Sequence, residues 1–283
     1  MIKNKKKFNS KYLDDFQIFL EKSGKSLRTA KIYSAWALKL ILFAKKQECS
    51  WVHPSKIKQK HADVFMVSMK DLPASTKNQA RSALKSFFVF SGNDLNVIGP
   101  RKLPQHIPTI LSWNEGALIC NNAKNMRLLA WVVFGGGERL SEAVTLRCED
   151  VIVQTPGVFL RGWRTFIPSE LCQYFINHKQ MVKQYHKEYA SGEDWFFPVM
   201  QRPTKHISPE SFLNSLRHID ISNLGIMKEV TALTLFHSFC AIAFEQGKTF
   251  PWVYQRTGYK TTKTLEAIKW SVDVSNMNRD VLL

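Results

Sequence analysis

The sequence has no long apolar run. No stretch reaches the roughly 18–20 apolar residues that cross a bilayer, so an integral membrane protein is not expected. The basic start MIKNKKKFNS leads into a segment carrying Asp14 and Asp15 rather than an apolar core with a cleavage site, so no secretory signal is expected. Cysteine is scarce and odd in number: five, at Cys49, Cys120, Cys148, Cys172 and Cys240, with no pair at CxxC spacing. A disulfide framework or zinc site is therefore not expected, and a reducing cytoplasm is the expected compartment. Phosphate-binding glycine loops are missing. There is no Walker A motif and no GxGxxG, and Gly135–Gly137 is not followed by Lys-Ser/Thr. HExxH and GxSxG are absent, and the eight histidines do not cluster, so neither a metal nor a small cofactor is expected. The carboxylate pairs Asp14–Asp15 and Glu149–Asp150 fall at a helix start and a helix end, where local electrostatics accounts for them. Internal repeats and low-complexity tracts are also lacking.

Carboxylates are the remaining shortage. The chain of 283 residues carries 40 Lys+Arg against 23 Asp+Glu, a formal net charge of +17, while 45% hydrophobic residues suffice for a real core. The length suits one large domain or two medium ones. The charge is concentrated: residues 1–103 hold 21 of the Lys+Arg but only 7 of the Asp+Glu. Such an excess fits a polyanion, nucleic acid first. A solvated basic face and an anionic lipid surface are the alternatives. The charges interleave with helical apolar patterns rather than forming a tail, which favours nucleic acid.

Apolar residues recur at helical spacing over about 10–23 (Tyr12, Phe16, Phe19, Leu20) and 27–46 (Ile32, Trp36, Leu40, Phe43). Gly24 ends the first helix and Ser26 caps the second. Further helices are predicted at about 54–70 and 75–91, the latter capped by Ser75 with Ala80, Leu84, Phe87 and Phe88 inside. Arg28, Lys31, Lys77, Arg81 and Lys85 lie off the apolar stripes and are the candidate DNA contacts of this half. Gly99 to Pro108 holds three prolines and reads as an extended linker. Beyond it, helices are predicted at about 113–122, 124–134, 139–147, 169–188, 208–219, 231–246, 250–256 and 262–270, with strand-like runs at 151–153, 158–160 and 164–167. The expected fold is mostly α with one small antiparallel β-sheet (α+β), in two domains, 1–103 and 104–283.

Phe134-Gly-Gly-Gly-Glu-Arg139-Leu-Ser-Glu142, followed by Leu146 and Asp150, resembles the first arginine box of the tyrosine recombinase (phage integrase) family. Thr29-Ala-Lys-Ile-Tyr33 is similar to its Thr-x-x-x-Tyr helix, and Leu84-Lys-Ser-Phe87-Phe88 to its Leu-x-x-Phe-Phe helix. Pro108-Thr-Ile-Leu-Ser-Trp-Asn-Glu115 is similar to the start of its catalytic domain. The resemblance spans nearly the whole chain. It implies a helical core-binding domain and a mixed catalytic domain that grip duplex DNA as a clamp, with Arg139 on the first catalytic arginine. Arg139 has two readings: a phosphate contact, or a structural partner of Glu142 or Asp150.

The second box departs from the family. His-x-x-Arg-His-Ser/Thr-Phe-Ala becomes Leu233-Thr-Leu-Phe236-His237-Ser238-Phe239-Cys240, replacing a histidine with Leu233 and an arginine with Phe236. Leu-Gly-His becomes Thr257-Gly258-Tyr259, and the tenth residue after Gly258, where the family carries its nucleophilic tyrosine, is Ile268. Arg161 stands where the resemblance places the family's sheet lysine, and Arg164 and Lys260 are further candidate backbone contacts. These departures read as a phosphate pocket turned into packed structure. The expectation is a catalytically inactive, sequence-specific DNA-binding protein in the cytoplasm, a transcriptional regulator or architectural accessory factor on a mobile element such as a plasmid. The alternative is a site-specific recombinase with a non-standard nucleophile, or a subunit of a mixed complex with an active recombinase. The tail Val272 to Leu283, with Val274, Met277, Val281 and Leu282, docks either on a neighbouring protomer in a homo-oligomer or on its own domain.

Overall fold

A computed structural model describes residues 2–47, 56–93, 107–189 and 192–280, with side chains from residue 11 to residue 276 within those spans. Most of the expected linker, Cys49, and the tail side chains Met277, Val281 and Leu282 lie outside the described residues. The chain divides into two compact units, Met1–Gln105 and His106–Leu283.

The first unit is helical: α1 (Ile2–Lys22), α2 (Leu27–Gln47), α3 (Gln59–Ser68) and α4 (Ala74–Phe90). Gly24 takes φ +79° at the turn after α1, a left-handed conformation that favours glycine. Ser26 Oγ accepts the Thr29 N–H at 3.2 Å and caps α2. Pro73, not Ser75, caps α4; its fixed φ suits the start of a helix, and Ser75 lies inside the first turn. The apolar stripes converge on one core of Phe16, Leu20, Trp36, Leu40, Phe65, Leu84, Phe87 and Phe88. Phe16 meets Phe87 edge-on at 5.3 Å. Burying each such ring contributes roughly 1.5–3 kcal/mol. The aromatics of this half are therefore core, and Arg28, Lys31 and Lys85 are left exposed.

The second unit is built round α10 (Ala232–Glu245), buried at every residue from Thr234 to Ala243. Around it lie α5 (Trp113–Asn122), α6 (Arg127–Phe134), α11 (Phe250–Thr257) and α12 (Lys263–Asp280). A near-continuous apolar sequence is what an all-round buried helix requires. Ser238 Oγ accepts the buried Leu111 N–H at 2.8 Å and donates to Thr234 O, so α10 satisfies the backbone of the segment leading into α5. Strands β1 (Val151–Gln154), β2 (Gly157–Leu160) and β3 (Trp163–Arg164) form an antiparallel sheet in order β1-β2-β3, with Val151 opposite Leu160 and Leu160 opposite Trp163. Helices α8 (Cys172–Glu188) and α9 (Pro209–Arg217) follow on either side of a hairpin.

Four expectations are corrected. The helix at 139–147 is one turn, α7 (Leu140–Ala143), because the Asp150 carboxylate takes the Arg147 N–H at 2.8 Å and Cys148 N donates to Asp194 O. The third strand ends at Arg164, where the Phe166 N–H turns away to Gly135 O. A second antiparallel pair exists, β4 (Pro198–Val199) with β5 (Arg202–His206). The last helix continues to Asp280 through the start of the expected tail, and Val272 is buried in its own unit.

Candidate functional site

Helix α6 is apolar and ends at Gly135-Gly136-Gly137. Glycine is required there by space. A Cβ on Gly136 would lie 2.4 Å from Val132 O, and one on Gly137 2.3 Å from the Phe239 ring, where φ is also +74°. The loop thus crosses α10 in close contact and then delivers Glu138 and Arg139.

Arg139 caps the single turn α7. Its backbone N–H donates to Glu142 Oε2 at 3.3 Å, so that carboxylate is engaged by the main chain. Asp150 is engaged too, by the Arg147 N–H. Neither structural partnership foreseen for the Arg139 side chain is formed. Its guanidinium lies instead over two rings, 4.7 Å from the centroid of Phe236 and 4.4 Å from that of Tyr259. Each such contact is worth about 0.5–2 kcal/mol. Among the described residues its N–H groups have no hydrogen-bond or carboxylate partner. A half-buried guanidinium held by its faces, with its donors open, is a ready receptor for an oxyanion.

The four replaced family positions separate by role. Phe236 is buried on α10 and Tyr259 follows Gly258, which takes φ +57° after α11; both rings support Arg139. The Tyr259 hydroxyl is buried without a hydrogen-bond partner among the described residues. Burial, with the Cys240 thiol beside it, raises its pKa, against a smaller lowering by Arg139. Burial likewise pushes the Cys240 thiol up to about 12. Leu233, expected to pack into the core, is instead exposed, at 55%, on the outer side of the first turn of α10. Ile268 is fully buried on α12 in a cluster with Phe239, Val253 and Leu265.

Arg161 occupies the β2–β3 turn with φ +50°, beside Gly162. Its guanidinium reaches Glu138 Oε2 at 3.4 Å and Asp150 Oδ2 at 3.8 Å, and its side chain is 38% exposed. The other oxygen of Glu138 accepts from Arg256 Nη1 at 2.9 Å, and Arg256 Nη2 donates to Gly136 O. Glu138 and Arg256 are both buried, a pair that sequence reasoning missed. The local sequence carries no signal for it: Glu138 stands between Gly137 and Arg139, and Arg256 between Gln255 and Thr257. Arg164 and Lys260 are exposed on this unit. In the first unit Lys77 Nζ donates to Lys70 O and Arg81 Nη1 to Asn78 Oδ1, both at 3.0 Å, which leaves Arg28, Lys31 and Lys85 as its most open candidates. The described residues contain no cluster able to hold a metal, and no helix among them is long and apolar enough to cross a membrane.

Residues 12–90 match the model of the phage integrase N-terminal SAM-like domain. Tyrosine recombinase XerA of Pyrococcus horikoshii is 25% identical over 269 residues, covering 91% of this chain and 88% of that protein. Tyrosine recombinase XerA of Pyrococcus furiosus is 24% identical over 278 residues, covering 92% and 90%. Among solved structures, XerH site-specific recombinase in a post-cleavage complex with palindromic difH superposes with a TM-score of 0.67 at 16% identity, covering 95% of this chain and 84% of that one. A lambda integrase dimer bound to a COC′ core site gives 0.62 at 14% identity, covering 92% and 94%.

The expectation of a protein without enzymatic activity is overturned: the chain is similar along nine-tenths of its length to proteins named as recombinases. Its physical premise was also incomplete. Phe236 is expected only to pack a core, whereas its ring and that of Tyr259 lie against the Arg139 guanidinium. The comparisons favour the recombinase alternative, and the regulator reading has no support in them. Fold, arginine box and relatives agree: the chain has the tyrosine recombinase fold and is similar to tyrosine recombinases (phage integrases) along most of its length.

Proposed function

We propose that this chain is a site-specific DNA recombinase, gripping duplex DNA and breaking and rejoining strands at a defined sequence. One observation carries the reading: the Arg139 guanidinium is stacked on two rings, with its donors unclaimed among the described residues. A phosphodiester under attack gathers negative charge on its non-bridging oxygens. A fixed, partly water-excluded guanidinium stabilises that charge more than the ground state. Arg161 at the hairpin turn supplies a second positive charge. The basic faces of the first unit, through Arg28, Lys31 and Lys85, would track the backbone and set register.

The chemistry is a transesterification. A protein hydroxyl oxygen bonds to phosphorus, the bond to the 5′ oxygen breaks, and that oxygen takes a proton. The phosphate ester to the protein keeps the bond energy for rejoining. Ile268 offers no hydroxyl, so the attacking oxygen belongs to another position of this chain or to a second protomer. Tyr259 is the hydroxyl residue whose ring lies against Arg139.

The test is strand exchange. DNA bound by the protein in its native cell is mapped, and the best site is placed twice on a reporter plasmid with purified protein. Deletion or inversion between the sites is expected. Tight, specific binding with no exchange, alone or with cell extract, would contradict the reading.

A further inference from the structure

Glu138 is the most buried charged side chain at the site, at 2% exposure, and one carboxylate serves two arginines from distant segments. Arg256 comes from α11, the helix that leads to Tyr259; Arg161 comes from the β2–β3 turn. Arg256 is fixed from a second direction by Gly136 O, in the same loop that presents Arg139. Three chain segments that carry the site therefore converge on one carboxylate. Arg161 and Gly162 both take positive φ, as the two-residue turn joining β2 to β3 requires, so the hairpin itself presents Arg161. Its N–H donates to Asp150 O at 2.8 Å, and its guanidinium is flanked by Glu138 and Asp150. Arg256 is enclosed and neutralised, whereas Arg161 is partly in solvent. Nothing in the strand-transfer chemistry calls for a buried acid at position 138.

We propose that Glu138 is a positioning residue, which holds Arg161 at the turn so that its guanidinium meets a DNA phosphate. The buried Arg256 fixes the carboxylate, the carboxylate fixes Arg161, and Arg161 makes the contact. The proposal rests on the DNA-binding part of the function above and adds to it a residue that never touches DNA.

The test measures duplex affinity against salt concentration for the full-length protein. Each phosphate contact contributes about 0.9 to the log–log slope. Arg161→Ala is expected to reduce the slope by about one contact. Glu138→Leu/Arg256→Leu replaces the buried pair by apolar groups and is expected to fold, since such exchanges are tolerated where breaking one partner alone is not. It is expected to lose the same slope increment as Arg161→Ala, with no further loss when all three changes are combined. Glu138→Gln, which still accepts from Arg256 but no longer attracts Arg161, should lose most of it as well. A purely structural role would alter melting temperature and leave the slope alone. The wild-type slope in Glu138→Gln or in the folded double variant would overturn the positioning role. The wild-type slope in Arg161→Ala would overturn the phosphate contact itself. Absence of duplex binding by the wild-type protein would overturn the functional reading with it.

Discussion

Arg139→Ala is expected to slow strand exchange by about 10²–10³-fold, the cost of removing one preorganised donor group from a charge that develops in the transition state. Affinity for the uncleaved duplex should fall by less than about tenfold, because one phosphate contact of several is lost. Arg139→Lys should recover little. An ammonium keeps the charge but has neither the planar face that rests on Phe236 and Tyr259 nor the forked donors. Exchange rates under saturating protein separate the two effects. Equal losses in affinity and rate would mean that Arg139 holds DNA without stabilising the transition state.

Gly137→Ala carries the second large effect, on folding. The new Cβ would sit 2.3 Å from a Phe239 ring atom, with Phe239 itself fully buried and φ at +74°. The left-handed conformation costs about 1–2 kcal/mol for an L-residue. Overpacking adds about 1–3 kcal/mol. Together they should lower the melting temperature of the second unit by on the order of 10 °C. Gly162→Ala is the internal control. It has φ +80° but open space around the Cβ position, so only the conformational cost applies. Phe239→Leu in the Gly137→Ala background should restore part of the loss. An unchanged melting temperature for Gly137→Ala would contradict the path of the loop over α10, and with it the placement of Arg139.

Much of this was legible in the chain. Apolar stripes marked α2, α4 and the second half of α1, and α10 lies where a helix is expected at 231–246. The arginine box was legible because glycine spacing and Arg139 are local features. What was missed is non-local or weakly patterned. Strand β5, Arg202–His206, is polar and its partner β4 is two residues long, so neither alternates visibly. Glu138 and Arg256 meet across 118 positions, a pairing no periodicity encodes. Phe236 was read correctly as buried and incompletely as a residue: one ring both fills the core and supports a cation. The substitution pattern alone suggested a dead pocket because it records which groups are gone. It does not record what the replacements touch.

A nicked suicide substrate carrying the bound site tests the central claim most directly, because loss of the short strand traps any covalent intermediate. The account predicts a protein–DNA adduct that forms with the wild-type chain, disappears in Arg139→Ala, and maps by peptide sequencing to a hydroxyl residue other than position 268. Loss of the adduct in Tyr259→Phe would assign that residue. A chain that binds the same substrate tightly, at every salt concentration used, and forms no adduct alone or with a second subunit would contradict it.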